Sequence, residues 1–374
     1  MGIVLGGGRL LAGLAVVVAI ATCERHQPAV IGFAFGADSP SVLDVVRAGR
    51  PASAAGHDLR FVDPSGMPSE PGAPGQVTMA SRFVAMPGIV AVVGHSDSRS
   101  TLAAAPVYDE AHVPLLVPTS TSRRLRTVSP WVFMLAPDDS AEALFIADFA
   151  VRHLGAHSAA VLYDNDDYGV GLRDFLRGAF GARQTRIIAE EPIGAFCDAG
   201  RQAEASLLRA IPRDHPPAVV IVAARNALAA CVSRRVYERL ATTPIIETDG
   251  VEPDSAFLAA VGDAARNSYV VAFWHPNAPG AASATFVRTF RAAMGRTPHA
   301  SQALLFDAVS LIETAVQDVG TKPAAIRRYL TELGTALPPY EGATGAIAFS
   351  GASTQRPLYM LRLAPLDAPP VVSP

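Results

Sequence analysis

Residues 89–101, IVAVVGHSDSRST, read as one unit: an apolar run, a hydroxyl-rich loop and the start of a helix. Ile89–Val93 contains no polar residue, the pattern of a strand covered by helices on both faces. Thr101–His112 then carries the spacing of an amphipathic helix. Working outward, the same alternation recurs. Short apolar runs fall at Val30–Phe35, Leu59–Val62, Val113–Val117, Ala159–Tyr163, Arg186–Ala189, Ala218–Ala223, Pro244–Glu247 and Tyr269–Phe273. Helical stretches separate them at Ala141–Leu154, Gly169–Phe180, Gln202–Ala210 and Leu228–Leu240. Strands alternating with helices predict βαβ units and an α/β fold with parallel-rich sheets. After Trp274 the order changes to three helices, Ser283–Met294, Ser301–Val319 and Pro323–Leu333, followed by weak strands at Gly345–Phe349 and Leu358–Leu363.

The chain has 374 residues, enough for two or three domains. Half of it is hydrophobic and 17% is charged, which excludes a disordered chain. A net charge of −3 advertises no basic surface for nucleic acid. Met1–Arg9 is short and weakly basic, and Leu10–Ala21 is an apolar run too short for a typical membrane span. Residues 1–22 therefore read as a signal peptide. Its end, Ile20-Ala21-Thr22-Cys23, resembles a bacterial lipoprotein box, with Thr22 standing where a smaller residue is usual, and makes Cys23 the candidate lipidation site. Export to the periplasm or cell surface, with attachment to the membrane through the lipid, is the expectation. In that oxidising setting Cys197 and Cys231 are expected to pair as a disulfide. His153 and His157 are four apart but lack a third ligand nearby, and no C-x-x-C is present, so neither a metal site nor a cofactor is expected.

Ligands of open α/β sheets bind beyond the carboxyl ends of strands, so the loops there are the candidate site. Gly94–Thr101 and Pro118-Thr119-Ser120-Thr121-Ser122 are hydroxyl-rich, and the first opens a helix whose free N–H groups favour an anion. Asp164-Asn165-Asp166-Asp167-Tyr168-Gly169 and Glu247-Thr248-Asp249-Gly250 offer carboxylates. An anion site opposed by a carboxylate suits a zwitterionic amino acid. Pro64–Gly75 reads as an exposed excursion and Pro137–Ser140 as a crossing between lobes.

In order and spacing, Val90–Thr101, Pro118–Leu125, Asp164–Gly171, Asp249–Ala265 and Phe306-Asp307-Ala308 resemble type 1 periplasmic binding proteins. More narrowly they resemble the leucine/isoleucine/valine-binding group of solute receptors of ABC importers, and the likeness runs from about Val30 to Leu363. The resemblance implies two Rossmann-like lobes joined by a three-crossing hinge, with the ligand in the cleft. Lobe 1 is then 29–137 plus 275–342, and lobe 2 is 138–274 plus 343–366. By position, Ser98 holds the ligand carboxylate, the Ser120 carbonyl meets the ammonium, and Thr121 contacts both. Tyr168 is an aromatic from the second lobe and Asp249 the acid that neutralises the ammonium. Glu247 is the alternative acid, since strand alternation points it the same way as Asp249. The implied partners are a small-molecule ligand, an amino acid for preference, and the membrane subunits of an ABC permease. Arg99, Pro64–Gly75 and the loop Gly36–Val42 depart from the family pattern. Two other functions compete: a ligand sensor of the same fold without transport, and a serine hydrolase built on Gly94-His95-Ser96-Asp97-Ser98. The hydrolase reading suffers from Ser98 standing where the second glycine of the elbow belongs.

Overall fold

The computed structural model describes residues 28–35, 59–62, 72–193, 211–354 and 356–364, together with Gly2, Asp44 and Cys197. Met1 and residues 3–22, Cys23, the loop Gly36–Val42, most of Pro64–Gly75, the helix expected at Gln202–Ala210 and the tail from Pro365 lie outside the described residues.

The first sheet is built from β1 (Ala29–Ala34), β2 (Leu59–Val62), β3 (Ile89–Gly94), β4 (Leu115–Val117) and β5 (Val132–Met134). All its pairings are parallel, in the order β2-β1-β3-β4-β5. Three helices accompany it: α1 (Ala73–Val84), α2 (Ser98–Ala111) and the short α3 (Leu125–Val128). α1 begins inside the stretch read as an excursion, because Pro74 in the first turn costs no intrahelical bond. α2 begins three residues before the sequence reading. The Asp97 carboxylate accepts the Ser100 N–H at 2.9 Å and caps the helix, which draws Ser98 and Arg99 into the first turn.

The second sheet follows from α4 (Asp139–Arg152), β6 (Ser158–Tyr163), α5 (Asp167–Ala182), β7 (Arg186–Pro192), β8 (Val219–Ala223), α6 (Asn226–Arg239), β9 (Ile245–Glu247), α7 (Ser255–Val261) and β10 (Ser268–Ala272). β6, β8 and β9 are buried along their whole length, as expected for the predominantly apolar strands of a sheet covered on both faces. Cys231 on α6 is bonded to Cys197, with 6.2 Å between their Cα atoms. In the chain-entropy account, closing that 34-residue loop stabilises the fold by roughly 3–4 kcal/mol.

The chain then returns through α8 (Ala281–Met294), α9 (Ala300–Val319) and α10 (Pro323–Glu332). Two short hairpins follow, β11 (Tyr340–Gly342) with β12 (Gly345–Ile347), and β13 (Phe349–Ser350) with β14 (Ser353–Thr354). The last strand, β15 (Tyr359–Arg362), runs antiparallel on β10, giving the order β15-β10-β9-β8-β6-β7. Residues 343–354 differ from the expected division into lobes: they pack on the first lobe, not the second. Buried Asp307 of α9 accepts the N–H groups of Ala343 (2.6 Å) and Thr344 (2.8 Å) and also bonds the Thr344 hydroxyl. Met134 N–H donates to the Ala352 carbonyl at 2.7 Å, and the Phe349 ring meets Phe133 edge-on. The third crossing therefore falls between Thr354 and Tyr359.

Candidate ligand-binding site

Both sheets have a point where the strand order reverses direction, and the loops there diverge to leave a crevice. In the first sheet it lies between β1 and β3, in the second between β6 and β8. The loop after β3 leads to Ser98 at the start of α2, the loop after β6 leads to Tyr168, and the loop after β8 carries Arg225.

On the first lobe the expected residues are buried and satisfied. Ser98 Oγ accepts the Ser122 N–H at 3.3 Å. Ser120 Oγ is 2.8 Å from Thr101 Oγ1, and the Thr121 carbonyl accepts the Asp139 N–H at 2.9 Å, tying the β4 loop to the start of α4. His95 turns away from the neighbouring serines. Its ring nitrogens lie 2.6 Å from Gln76 Oε1 and 3.1 Å from the Tyr108 hydroxyl, and burial lowers its pKa to about 4. No serine therefore has this histidine as a base.

On the second lobe, Tyr168 and Asp249 come into direct contact. The Tyr168 hydroxyl is 2.6 Å from Asp249 Oδ1 and 2.8 Å from Thr248 Oγ1, and it accepts the Gly250 N–H at 3.0 Å. A Cβ at Gly250 would come within 2.7 Å of the Ala224 carbonyl, so this turn requires glycine. Arg225 lies over the Tyr168 ring at 4.8 Å and bonds Asp166 at 2.5 Å. Glu247 does not join them. β9 ends at Glu247, so strand alternation no longer relates it to Asp249, and its carboxyl instead meets Ser233 inside the lobe. Burial raises Glu247 to about 8.

Two further acids complete the site, and the sequence reading missed both. Glu142 Oε1 accepts the Asp249 N–H at 2.8 Å, and Asp139 lies one turn earlier on α4. Burial pushes Glu142 well above the usual carboxylate range, and the Asp249 charge pushes the same way. Asp249 is itself raised by burial, although bonds from Glu142 and Tyr168 oppose the shift. Asp139 is raised to about 8 by burial, with the Thr121 hydroxyl opposing and the Asp249 and Asp138 charges adding to it. In sequence, Asp138-Asp139-Ser140-Ala141-Glu142 looks like acids placed to complement a helix dipole. Asp138 does that, capping α4 through the Ser140 and Ala141 N–H groups. Only the tertiary fold turns the other two toward Asp249.

Asp249 also lines a cavity of about 290 Å³. Its wall continues through Glu252, the crossing Phe273–Asn277 and the first turns of α9, and the first lobe contributes Thr119. Of the five expected ligand residues Asp249 lines it, and Ser98, Ser120, Thr121 and Tyr168 do not.

Two α/β lobes joined by crossings, with polar loops facing the space between them, define the architecture of a two-lobed binding protein. The chain belongs to the periplasmic binding protein family, whose sequence pattern matches residues 73–367. An amino acid binding protein of Pseudomonas aeruginosa is 31% identical over 188 residues, covering 50% of this chain and 49% of that protein. The match thus spans about half the length of the curated relative. In fold, the chain is similar to a leucine-binding protein of Thermotoga maritima, with a TM-score of 0.81, 19% identity, and 92% and 98% of the two chains covered. It is likewise similar to a branched-chain amino acid transporter substrate-binding protein of Streptococcus pneumoniae solved with isoleucine. That match has a TM-score of 0.80, 22% identity, and 93% and 100% coverage.

Proposed function

We propose that this chain is an exported solute receptor that closes its lobes on an amino acid or similar small polar solute and delivers it to an ABC permease. The observation that carries this reading is the contact of Tyr168 with Asp249, backed by Glu142, at the edge of the cavity between the lobes. A ligand ammonium there meets carboxyl groups, and the Ser98–Thr121 side of the cleft receives the rest of the ligand. Closure follows because a solute touching both lobes stabilises the closed state by its differential contacts. The role is binding without catalysis, in keeping with a family of binding proteins and with a histidine turned away from the nearby serines. Cys23 is the proposed lipid anchor.

A thermal-shift screen of the mature protein against amino acids, amides and aromatic acids tests the reading. One class of solute is expected to raise the midpoint saturably, by linkage to the native state. Generic esters are expected to show no turnover. Absence of any binder, or ester hydrolysis lost on Ser98→Ala, overturns it.

A further inference from the structure

The receptor reading leaves open what the solute carries beyond its ammonium, and the wall of the cavity that Asp249 lines bears on it. Most of that wall is apolar, formed by Val251, Val271, Phe273, Trp274, Leu304 and Leu361 among others. Of the wall's side chains with a hydrogen-bonding atom, two are buried, Trp274 and His275, both on the crossing Phe273–Asn277. The indole N–H of Trp274 is satisfied by Ser283 Oγ at 3.0 Å. His275 is not satisfied in this way. Its Nδ1 accepts the Asn277 N–H at 3.2 Å, and burial lowers its pKa, so the ring is neutral and its proton sits on Nε2. Among the described residues that Nε2–H has no hydrogen-bond partner.

Other polar groups of the wall are engaged. Arg291 is exposed and its Nε bonds Thr297 Oγ1 at 3.1 Å. Glu252 is bonded by Ser301 and lies 4.0 Å from His299 Nδ1. A solute that displaces water from this wall either brings an acceptor to His275 or leaves its N–H unpaired, and an unpaired buried donor costs affinity. A neutral imidazole offers that hydrogen bond but no charge to offset an anion, so the acceptor it suits is neutral. An amide is such an acceptor, and its own N–H groups meet a wall that holds carboxyl acceptors in Asp249 and Glu252.

Resting on the receptor reading above, we propose that the solute is an amino acid whose side chain ends in a neutral amide, the amide carbonyl accepting the His275 Nε2–H. The ammonium meets Asp249 and the methylene stem packs on the apolar wall. His275 is then a specificity-determining residue: it separates an amide side chain from an aliphatic one of the same shape.

Titration calorimetry of the mature full-length chain with glutamine, asparagine, glutamate and norleucine tests this. The better of the two amides is expected to bind at least about tenfold tighter than norleucine, which has the shape of glutamine without its amide, and than glutamate. His275→Phe keeps a ring and removes the N–H, and is expected to erase the preference over norleucine. His275→Gln, which places an N–H at similar reach, is expected to keep part of it. Both variants are checked for an intact melting transition, and the ranking on the parent decides where one melts early. Norleucine or glutamate binding as tightly as the amides, or a preference unmoved in His275→Phe, overturns the proposal and leaves the receptor reading standing. So does loss of the preference in both variants alike, which is the mark of a merely structural histidine, or no heat from either amide while another solute of the wider screen binds. Failure of every solute here and in the wider screen overturns the receptor reading itself.

Discussion

On the first lobe, Ser98 and Ser120 turn their hydroxyls to neighbours, Ser122 N–H and Thr101. On the second, Asp139 and Glu142 are buried carboxyls pushed above their usual range. Both surfaces sit beyond the carboxyl ends of strands and both are polar, yet one is built of neutral hydroxyls and the other of buried acids. Saturated hydroxyls fix the shape of a wall, since moving any of them breaks a bond already made. In the proposed reading, the buried acids beside Asp249 make the second lobe the face where a ligand ammonium would be held.

The sharpest way to break that contrast is Asp249→Ala. It removes a charged partner of the ligand in a partly dry cleft, for an expected loss of about 2–5 kcal/mol, or roughly 30-fold to several thousand-fold in affinity by calorimetry. Affinity equal to the parent's would show that the acidic face does not carry binding. Next comes pH. Asp139 titrates at about 8 when folded against 3.8 for the ordinary side chain. Between those values the folded state holds a proton that the unfolded chain has lost, so stability falls as pH rises through the window from about 4 to about 8. Asp139→Asn should flatten that fall and raise stability at pH 9, on the order of 3 kcal/mol, as read from denaturant melts across pH. His95 acts with the opposite sign. Its pKa is lowered to about 4, so stability is lost as pH falls from 6.5 toward 4, and acid melts should show it.

Smaller effects sharpen the comparison. Tyr168→Phe strips the hydroxyl from Asp249, Thr248 and the Gly250 N–H and should cost about 1–3 kcal/mol of affinity and stability together. Ser98→Ala unpairs one N–H and should cost about 1 kcal/mol, chiefly in melting temperature. If Ser98→Ala weakens binding more than Tyr168→Phe does, the first lobe is the stronger face and the contrast is inverted. Least of all should come Arg124→Ala. Its ion pair with Asp167 bridges the lobes at 3.3 Å but is exposed, so a change within about 1 kcal/mol is expected in ligand affinity.

Most of the architecture was legible because buried strands carry unbroken apolar runs, and β3, β6, β8 and β10 match their sequence readings within a residue or so. β5 and α3 were not, at three and four residues, since such short segments leave no period to read. The site divides the same way. Tyr168 and Asp249 stand out because each follows closely on a strand, Tyr168 in the first turn of α5 and Asp249 in the turn after β9, and the structure brings them together. Asp139 and Glu142 look like ordinary first-turn acids, and Asp138 before them is the residue that caps the helix. Their part in the cleft depends on α4 packing beside the β9 turn, a contact 107 residues long in sequence between Glu142 and Asp249. No local pattern records a contact of that range.

The late hairpins and β15 bear on the order in which this chain is made. Asp307 waits for Ala343 and Thr344, and the edge of the second sheet waits for Tyr359–Arg362. During synthesis both lobes therefore stay unfinished until residues 343–362 have emerged. Domains ordinarily fold one after another as they emerge. Here the wiring postpones completion of either lobe until its returning segment, Ala343–Thr344 for the first and Tyr359–Arg362 for the second, is available.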